Sequence, residues 1–163
     1  MKISIITTAY NSGSTLRDAM ESVLRQTHQD IEYWIIDGGS QDNTLELIRS
    51  YVPRFGGKLH YLSEPDKGIY DAMNKGIRMA TGEVIGFLNS DDFYTNNTVL
   101  EQVARALTDT RLDAVYGDVH YVEPENLYHC VRYYSSRPFQ RCWMRFGLMP
   151  AHPSFYCRRE VYA

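Results

Sequence analysis

Four times between residues 3 and 107 a short apolar run, rich in β-branched residues, gives way to turn residues. Each time a stretch with apolar positions at helical spacing follows. The runs are 3–8, 31–37, 60–62 and 83–88. The helical faces are Leu16, Ala19, Met20, Val23 and Leu24; then Leu47, Ile48, Tyr51 and Val52. Next come Ile69, Ala72, Met73, Gly76, Ile77 and Ala80, and last Val99, Leu100, Val103, Ala104 and Leu107. A fifth run spans 113–116. Regular alternation of strand and helix predicts an α/β fold: a mostly parallel sheet with helices on both faces. Asn43 with Glu46, and Thr98 with Glu101, have the spacing of capping boxes. Beyond residue 116 the alternation stops. Residues 117–134 read as two antiparallel strands around Glu123, Pro124, Glu125 and Asn126. Residues 138–146 read as a short helix and 153–157 as a last short strand.

Composition excludes several function classes. At 44% hydrophobic and 23% charged residues, the 163-residue chain is neither a disordered tail nor a coiled coil. A net charge of −3 does not point to nucleic acid. No run approaches a membrane span. Three cysteines without Cys-x-x-Cys spacing argue against a disulfide framework or zinc site, and a reducing cytoplasm is the simplest setting. The charge is unevenly placed. Residues 83–129 carry nine acidic against two basic groups, and residues 130–163 carry six arginines against Glu160. An acidic middle beside an arginine-rich end fits a cation site next to an anion-binding surface, or solvated faces.

The chemistry-bearing residues sit where strands stop, and in open α/β sheets ligands bind beyond the carboxyl ends of the strands. The first strand runs into Thr8, Ala9, Tyr10 and Asn11, and the second into Asp37, Gly38, Gly39 and Ser40. After the third come Glu64 to Gly76, and after the fourth Asn89, Ser90, Asp91 and Asp92. The strand-end rule predicts that Asp37, Asp66, Asp91 and Asp92 share one neighbourhood. Carboxylates that close call for a hard cation such as Mg²⁺ or Mn²⁺. Asp37 alone also reads as a turn cap, and Tyr10 and Tyr70 as rim packing. Gly76 reads as a close helix–sheet contact. Neither G-x-G-x-x-G nor G-x-x-x-x-G-K-[ST] is present, so no glycine nest at the first helix holds a phosphate.

Five segments, in order over residues 3–157, resemble the large inverting family two of nucleotide-sugar glycosyltransferases. They are Ser4 to Asn11, Ile36 to Thr44, Glu64 to Ile77, Thr81 to Asp92, and Met149 to Phe155. The third is close to bacterial enzymes of exopolysaccharide, colanic-acid or O-antigen assembly. The resemblance implies a three-layer, Rossmann-like nucleotide-diphospho-sugar transferase (GT-A) fold, truncated at its carboxy-terminal part. It makes 1–116 the nucleotide-sugar-binding half and 117–163 the incomplete start of an acceptor-side region, in one domain. It implies transfer from a nucleotide-sugar donor, with UDP-sugar first in line, to a polysaccharide or lipid-linked acceptor at the inner membrane face.

The same resemblance assigns roles. Thr8, Ala9, Tyr10 and Asn11 line the base, and Asp37 sits by the uracil or ribose. Asp66, Lys67 and Gly68 face base and phosphates. Asn89, Ser90 and Asp91 belong to the nucleotide site through the D-x-D equivalent, with Asp91 and Asp92 as ligands of Mn²⁺ or Mg²⁺. His152 lies near the acceptor pocket. Three departures stand out: Gly38 replaces a second aspartate, Asn89 replaces the first D-x-D carboxylate, and no general-base motif follows the His segment. The last implies a base beyond residue 163, and an alternative reading as a donor-binding unit without turnover. A sugar nucleotidyltransferase is a second alternative. The sequence carries no signal of oligomeric state.

Overall fold

The computed structural model describes residues 1–123 and 125–162, with Tyr128 and Arg141 described by backbone alone. Pro124, within the expected turn, lies outside the described residues, as does Ala163.

The first four strands are β1 (Ile3–Ala9), β2 (Ile31–Asp37), β3 (Leu59–Ser63) and β4 (Val84–Phe87). Helices α1 (Leu16–Leu24), α2 (Thr44–Tyr51) and α3 (Ile69–Met79) connect them, and α4 (Val99–Ala106) follows β4. Then come β5 (Ala114–Val115), the hairpin β6 (Val119–Glu123) and β7 (Asn126–Tyr134), and β8 (Tyr156–Arg158). The main sheet has the order β3-β2-β1-β4-β8-β5, and β6-β7 form a separate ladder. β1 pairs in parallel with both β2 and β4, and β2 with β3.

The strand period of two divides the core. Ile3 and Ile5 of β1 join Tyr33, Ile35, Leu16, Met20, Leu47, Ile48, Leu100 and Val103 on the face covered by α1, α2 and α4. Ile6 joins Ile36, Ala72, Ala80, Ile85 and Phe87 on the face covered by α3. Each fully buried Ile or Leu is worth roughly 1.5–3 kcal/mol, so two helix layers around one sheet account for the expected three-layer build. α3 lies close because residue 76 lacks a side chain: a Cβ there would sit 2.5 Å from Ile6 Cγ2.

The sheet is mostly parallel, as expected, with one antiparallel strand inserted. β8 runs antiparallel between β4 and β5, pairing Gly86 with Tyr156 and Ala114 with Cys157. It begins three residues later than the expected 153–157 strand, because His152–Ser154 forms a 3-10 turn with Pro153 in its first positions. Residues 141–146 form a 3-10 helix (Arg141–Phe146). Neither predicted capping box forms: Asn43 and Thr98 make no side-chain cap bond. Asp42 Oδ1 accepts the Thr44 N–H at 3.0 Å instead, and Gln26 Oε1 accepts that of Leu100 at 3.1 Å.

The amino-terminal ends of the strands are tied by one buried carboxylate. Glu32 accepts from Lys2 Nζ (2.7 Å), Ser4 Oγ (2.5 Å), Thr81 Oγ1 (2.7 Å) and Gly82 N (3.1 Å). Burial opposes its charge, but these donors outweigh it and hold the carboxyl at about 2. This leaves the opposite rim free for function.

Candidate functional site

The strand registers align Ala9 with Asp37 and Asp37 with Ser63, so the following loops rise from one rim. Between them lies a cleft of about 510 Å³, lined by Thr8, Ala9, Tyr10, Ser12, Gly38, Asp66, Gly68, Ile69, Ala72 and Ser90. Six of the residues singled out by sequence therefore meet there: Thr8, Ala9, Tyr10, Asp66, Gly68 and Ser90. Tyr10 is 63% exposed and Tyr70 is 74% exposed, leaving two aromatic rings at the rim with surface to give a ligand.

Gly68 enters α3 at φ 109°, ψ 174°, a region essentially reserved for glycine. That conformation lets Asp66 Oδ1 accept the Gly68 N–H at 2.9 Å. Gly68, Ile69 and Ala72 line the cleft, so the amino-terminal, positive end of α3 lies at its wall with the Asp66 carboxylate beside it. At residue 38, where the resembling family often has aspartate, a side chain would have to displace the Asp66 carboxylate. A Cβ would lie 2.6 Å from Asp66 Oδ2. The Asp66 carboxylate occupies that space.

Asp37, the last residue of β2, is tied into the protein. It is fully buried and accepts from the hydroxyls of Ser40 and Ser63, the latter at 2.6 Å, and from Ser40 N. These bonds fix the loop after β2. Asn11 is also turned to structure. At φ 50° it donates its N–H to Ser40 Oγ (2.8 Å) and accepts the Gln41 N–H on its side-chain oxygen (2.9 Å). Lys67 is exposed outside the cleft wall, its N–H donated to Asp71 Oδ2.

The predicted gathering of four aspartates is not found. Among the described residues no three His, Cys, Asp or Glu side chains are grouped to hold a metal. Asp37 and Asp66 are engaged as above, and Asp92 accepts Asn89 Nδ2 at 2.8 Å. What remains is the adjacent pair Asp91, exposed, and Asp92, half-buried. Burial pushes the Asp92 carboxyl up and the Asp91 charge adds to this, against the Asn89 bond. A carboxylate pair of this kind fits a hard divalent cation that takes its other ligands from substrate oxygens and water.

The acidic loop is held from beneath. Thr7 Oγ1 donates to Leu88 O at 2.6 Å and contacts Tyr33 Oη at 2.9 Å. On the far side Tyr156 Oη donates to Tyr94 Oη at 2.6 Å, both rings buried. Tyr156 fits because Gly86 opposite it has no side chain. His152 is exposed, in the turn that leads into β8. Because β8 runs antiparallel to β4, that turn lies toward the carboxyl end of β4, the rim bearing the acidic loop. Ser12, Ile69 and Ala72 are cleft residues that sequence reasoning missed. Ser12, in the turn before α1, was not singled out, and the other two looked like ordinary positions on an apolar helix face.

The comparisons with known proteins agree with this geometry. The family model "Glycosyl transferase family 2" matches residues 4–156. A PGL/p-HBAD biosynthesis glycosyltransferase of Mycobacterium bovis (strain BCG / Pasteur 1173P2) is 38% identical over 117 residues, covering 71% of this chain and 46% of the relative. The chain thus spans about half the length of the curated relatives it matches. Among solved structures, S. aureus TarS 1-349 in complex with UDP-GlcNAc aligns with a TM-score of 0.68 at 24% identity, over 79% of this chain and 37% of that one. The mannosyltransferase PcManGT from Pyrobaculum calidifontis, in complex with GDP-Man and Mn²⁺, aligns at 0.66 and 20% identity, over 91% and 47%. These likenesses establish the GT-A fold. No described helix is long and apolar enough to cross a membrane, and Cys130, Cys142 and Cys157 are all unpaired thiols. A family model that runs from the first strand to the last, on a sheet whose loops build a cleft at the expected rim, leaves one assignment: the chain belongs to glycosyl transferase family 2.

Proposed function

We propose that this chain forms the donor-binding part of an inverting glycosyltransferase. It takes a nucleoside diphosphate sugar, with UDP-sugar the first candidate, and serves transfer to a glycan or lipid-linked acceptor of the cell surface. The observation that carries the reading is the cleft itself. Its wall combines an aromatic loop after β1, the amino-terminal turn of α3 and the edge of the acidic loop.

Each part has a task. Thr8, Ala9 and Tyr10 flank the base, and Asp66 offers it a carboxylate in the space left by Gly38. The diphosphate lies toward Ser90 and the α3 turn, where N–H groups and a hydroxyl donate to its oxygens. Asp91 and Asp92 would hold Mn²⁺ or Mg²⁺. Bound there, the cation supplies Lewis-acid stabilisation of the charge that develops on the leaving diphosphate. His152 stands on the acceptor side. UDP-GlcNAc and GDP-Man in the structural neighbours support a nucleotide-sugar ligand.

The acceptor side has its own chemistry. Met144, Phe146, Leu148 and Met149 are all exposed, Phe146 at 81%, and Arg145 lies among them. An apolar stretch flanked by arginine suits an anionic lipid surface, from which a lipid-linked acceptor would be presented near His152.

A thermal-shift screen of UDP-, GDP- and CMP-sugars, each with and without Mn²⁺, tests the reading. UDP-sugars with Mn²⁺ raise the melting temperature, and Asp91→Asn/Asp92→Asn abolishes the rise. Equal melting with every nucleotide sugar refutes it.

A further inference from the structure

Two serines on the cleft wall meet although 78 positions separate them: Ser12 Oγ lies 2.9 Å from Ser90 Oγ. Behind Ser12 runs a chain of bonds to the loop after β2. Asp42 Oδ1 accepts both the Thr44 N–H (3.0 Å) and the Thr44 hydroxyl (2.5 Å). A hydroxyl has one proton. Thr44 gives it to Asp42, so its oxygen is left as an acceptor and takes the Ser12 N–H at 2.8 Å. Asp42 Oδ2 accepts the next amide, Gly13 N, at 3.0 Å. Thr44 is fully buried, while Asp42 beside it is exposed.

Ser12 Oγ accepts the Tyr10 N–H at 3.2 Å. Its own proton has two acceptors within reach, Tyr10 O at 3.4 Å and Ser90 Oγ at 2.9 Å. Either hydroxyl can donate across the Ser12–Ser90 contact, and the arrangement that matters here is the one in which Ser12 gives its proton to Ser90. Ser90 is then an acceptor toward Ser12, and its proton is left to point into the cleft.

We infer that Thr44 and Ser12 are positioning residues that aim the Ser90 hydroxyl at an oxygen of a diphosphate bound in the cleft. The inference rests on the reading of the cleft as a nucleoside diphosphate site. It adds that the acidic loop is held in register from the β2 loop, through Asp42, Thr44 and Ser12. A hydroxyl donated to a phosphate is charge-assisted, and its loss weakens binding by about tenfold or more.

The test compares UDP with Mn²⁺ against uridine, by calorimetry and by NMR shift titration, on the unaltered chain and on Ser90→Ala, Ser12→Ala, Thr44→Val and Thr44→Ser. Melting temperatures check that each variant folds, and Ser12→Ala carries the test if Thr44→Val does not. Ser90→Ala, Ser12→Ala and Thr44→Val each weaken UDP by about tenfold. Thr44→Ser, which keeps the hydroxyl, restores affinity. The double variant Ser12→Ala/Ser90→Ala binds no more weakly than Ser90→Ala, because both act through one proton. Uridine, which lacks the diphosphate, binds equally to all. Unchanged UDP affinity in Ser12→Ala overturns the inference, as does a loss of uridine binding that matches the loss of UDP. If the unaltered chain binds uridine and UDP not at all, the reading of the cleft falls, and the inference with it.

Discussion

Replacing Glu32 by glutamine tests the structural half of the account, because it removes one charge whose surroundings are fully described. The carboxylate is 4% exposed and collects donors from Lys2, Ser4, Thr81 and Gly82, which join β1, β2 and the turn before β4. Those donors hold its carboxyl at about 2 against an ordinary 4.5. At 1.36 kcal/mol per pH unit the difference is worth about 3 kcal/mol of folding stability. The sign is that of a depressed acid. The contribution is complete above pH 4.5, where the unfolded chain is also ionised, and is lost as pH falls toward 2. Urea unfolding at pH 7 shows the Glu32→Gln variant less stable than wild type by about 3 kcal/mol, and at pH 3 the gap shrinks to about half or less. A gap of the same size at both pH values refutes the reasoning. The tie lies at the amino-terminal ends of the strands and the cleft at the carboxyl ends, so the folded variant binds UDP at pH 7 as wild type does.

Three further outcomes follow from named contacts. Gly68→Ala forces a side chain into a backbone region that only glycine occupies easily, and costs about 1–3 kcal/mol in urea unfolding. It also weakens nucleotide binding, since the α3 turn it opens lines the cleft. Tyr156→Phe removes the hydrogen bond to Tyr94 and lowers stability by about 1 kcal/mol in the same assay. Arg145→Glu, which reverses an exposed charge among Met144, Phe146, Leu148 and Met149, reduces sedimentation with phosphatidylglycerol vesicles by about tenfold and leaves phosphatidylcholine unaffected. Unchanged sedimentation dismisses the lipid-facing role.

Much of the architecture was legible because local pattern and global fold agree. The alternation in Ile3 to Ala9 and the helical faces of α1 to α4 each demand burial on known sides, and the parallel sheet satisfies all of them. The strand-end rule placed Thr8, Tyr10, Asp66 and Ser90 around one cleft. Long-range pairing was not legible. β8 has only three residues, and its place beside β4 depends on the missing side chain of Gly86, some 70 positions away, which admits Tyr156. Side-chain direction was not legible either. Asp37 ends β2 and Asp66 follows β3, yet Ser40 of the β2 loop and Ser63 of β3 close over Asp37, while Asp66 keeps the space beside Gly38. Caps failed for the same reason. Asp42 and Gln26 reached the orphan N–H groups that the capping-box pattern gave to Asn43 and Thr98.

The central claim is that the acidic loop holds a divalent cation against a nucleoside diphosphate in this cleft. Calorimetric titration of UDP in saturating Mn²⁺ and again in EDTA tests it most directly. The account predicts that Mn²⁺ tightens UDP binding by at least about tenfold, and that Asp91→Asn/Asp92→Asn removes the difference while the protein stays folded. Equal affinity in Mn²⁺ and EDTA, or a manganese effect that survives the double substitution, contradicts it.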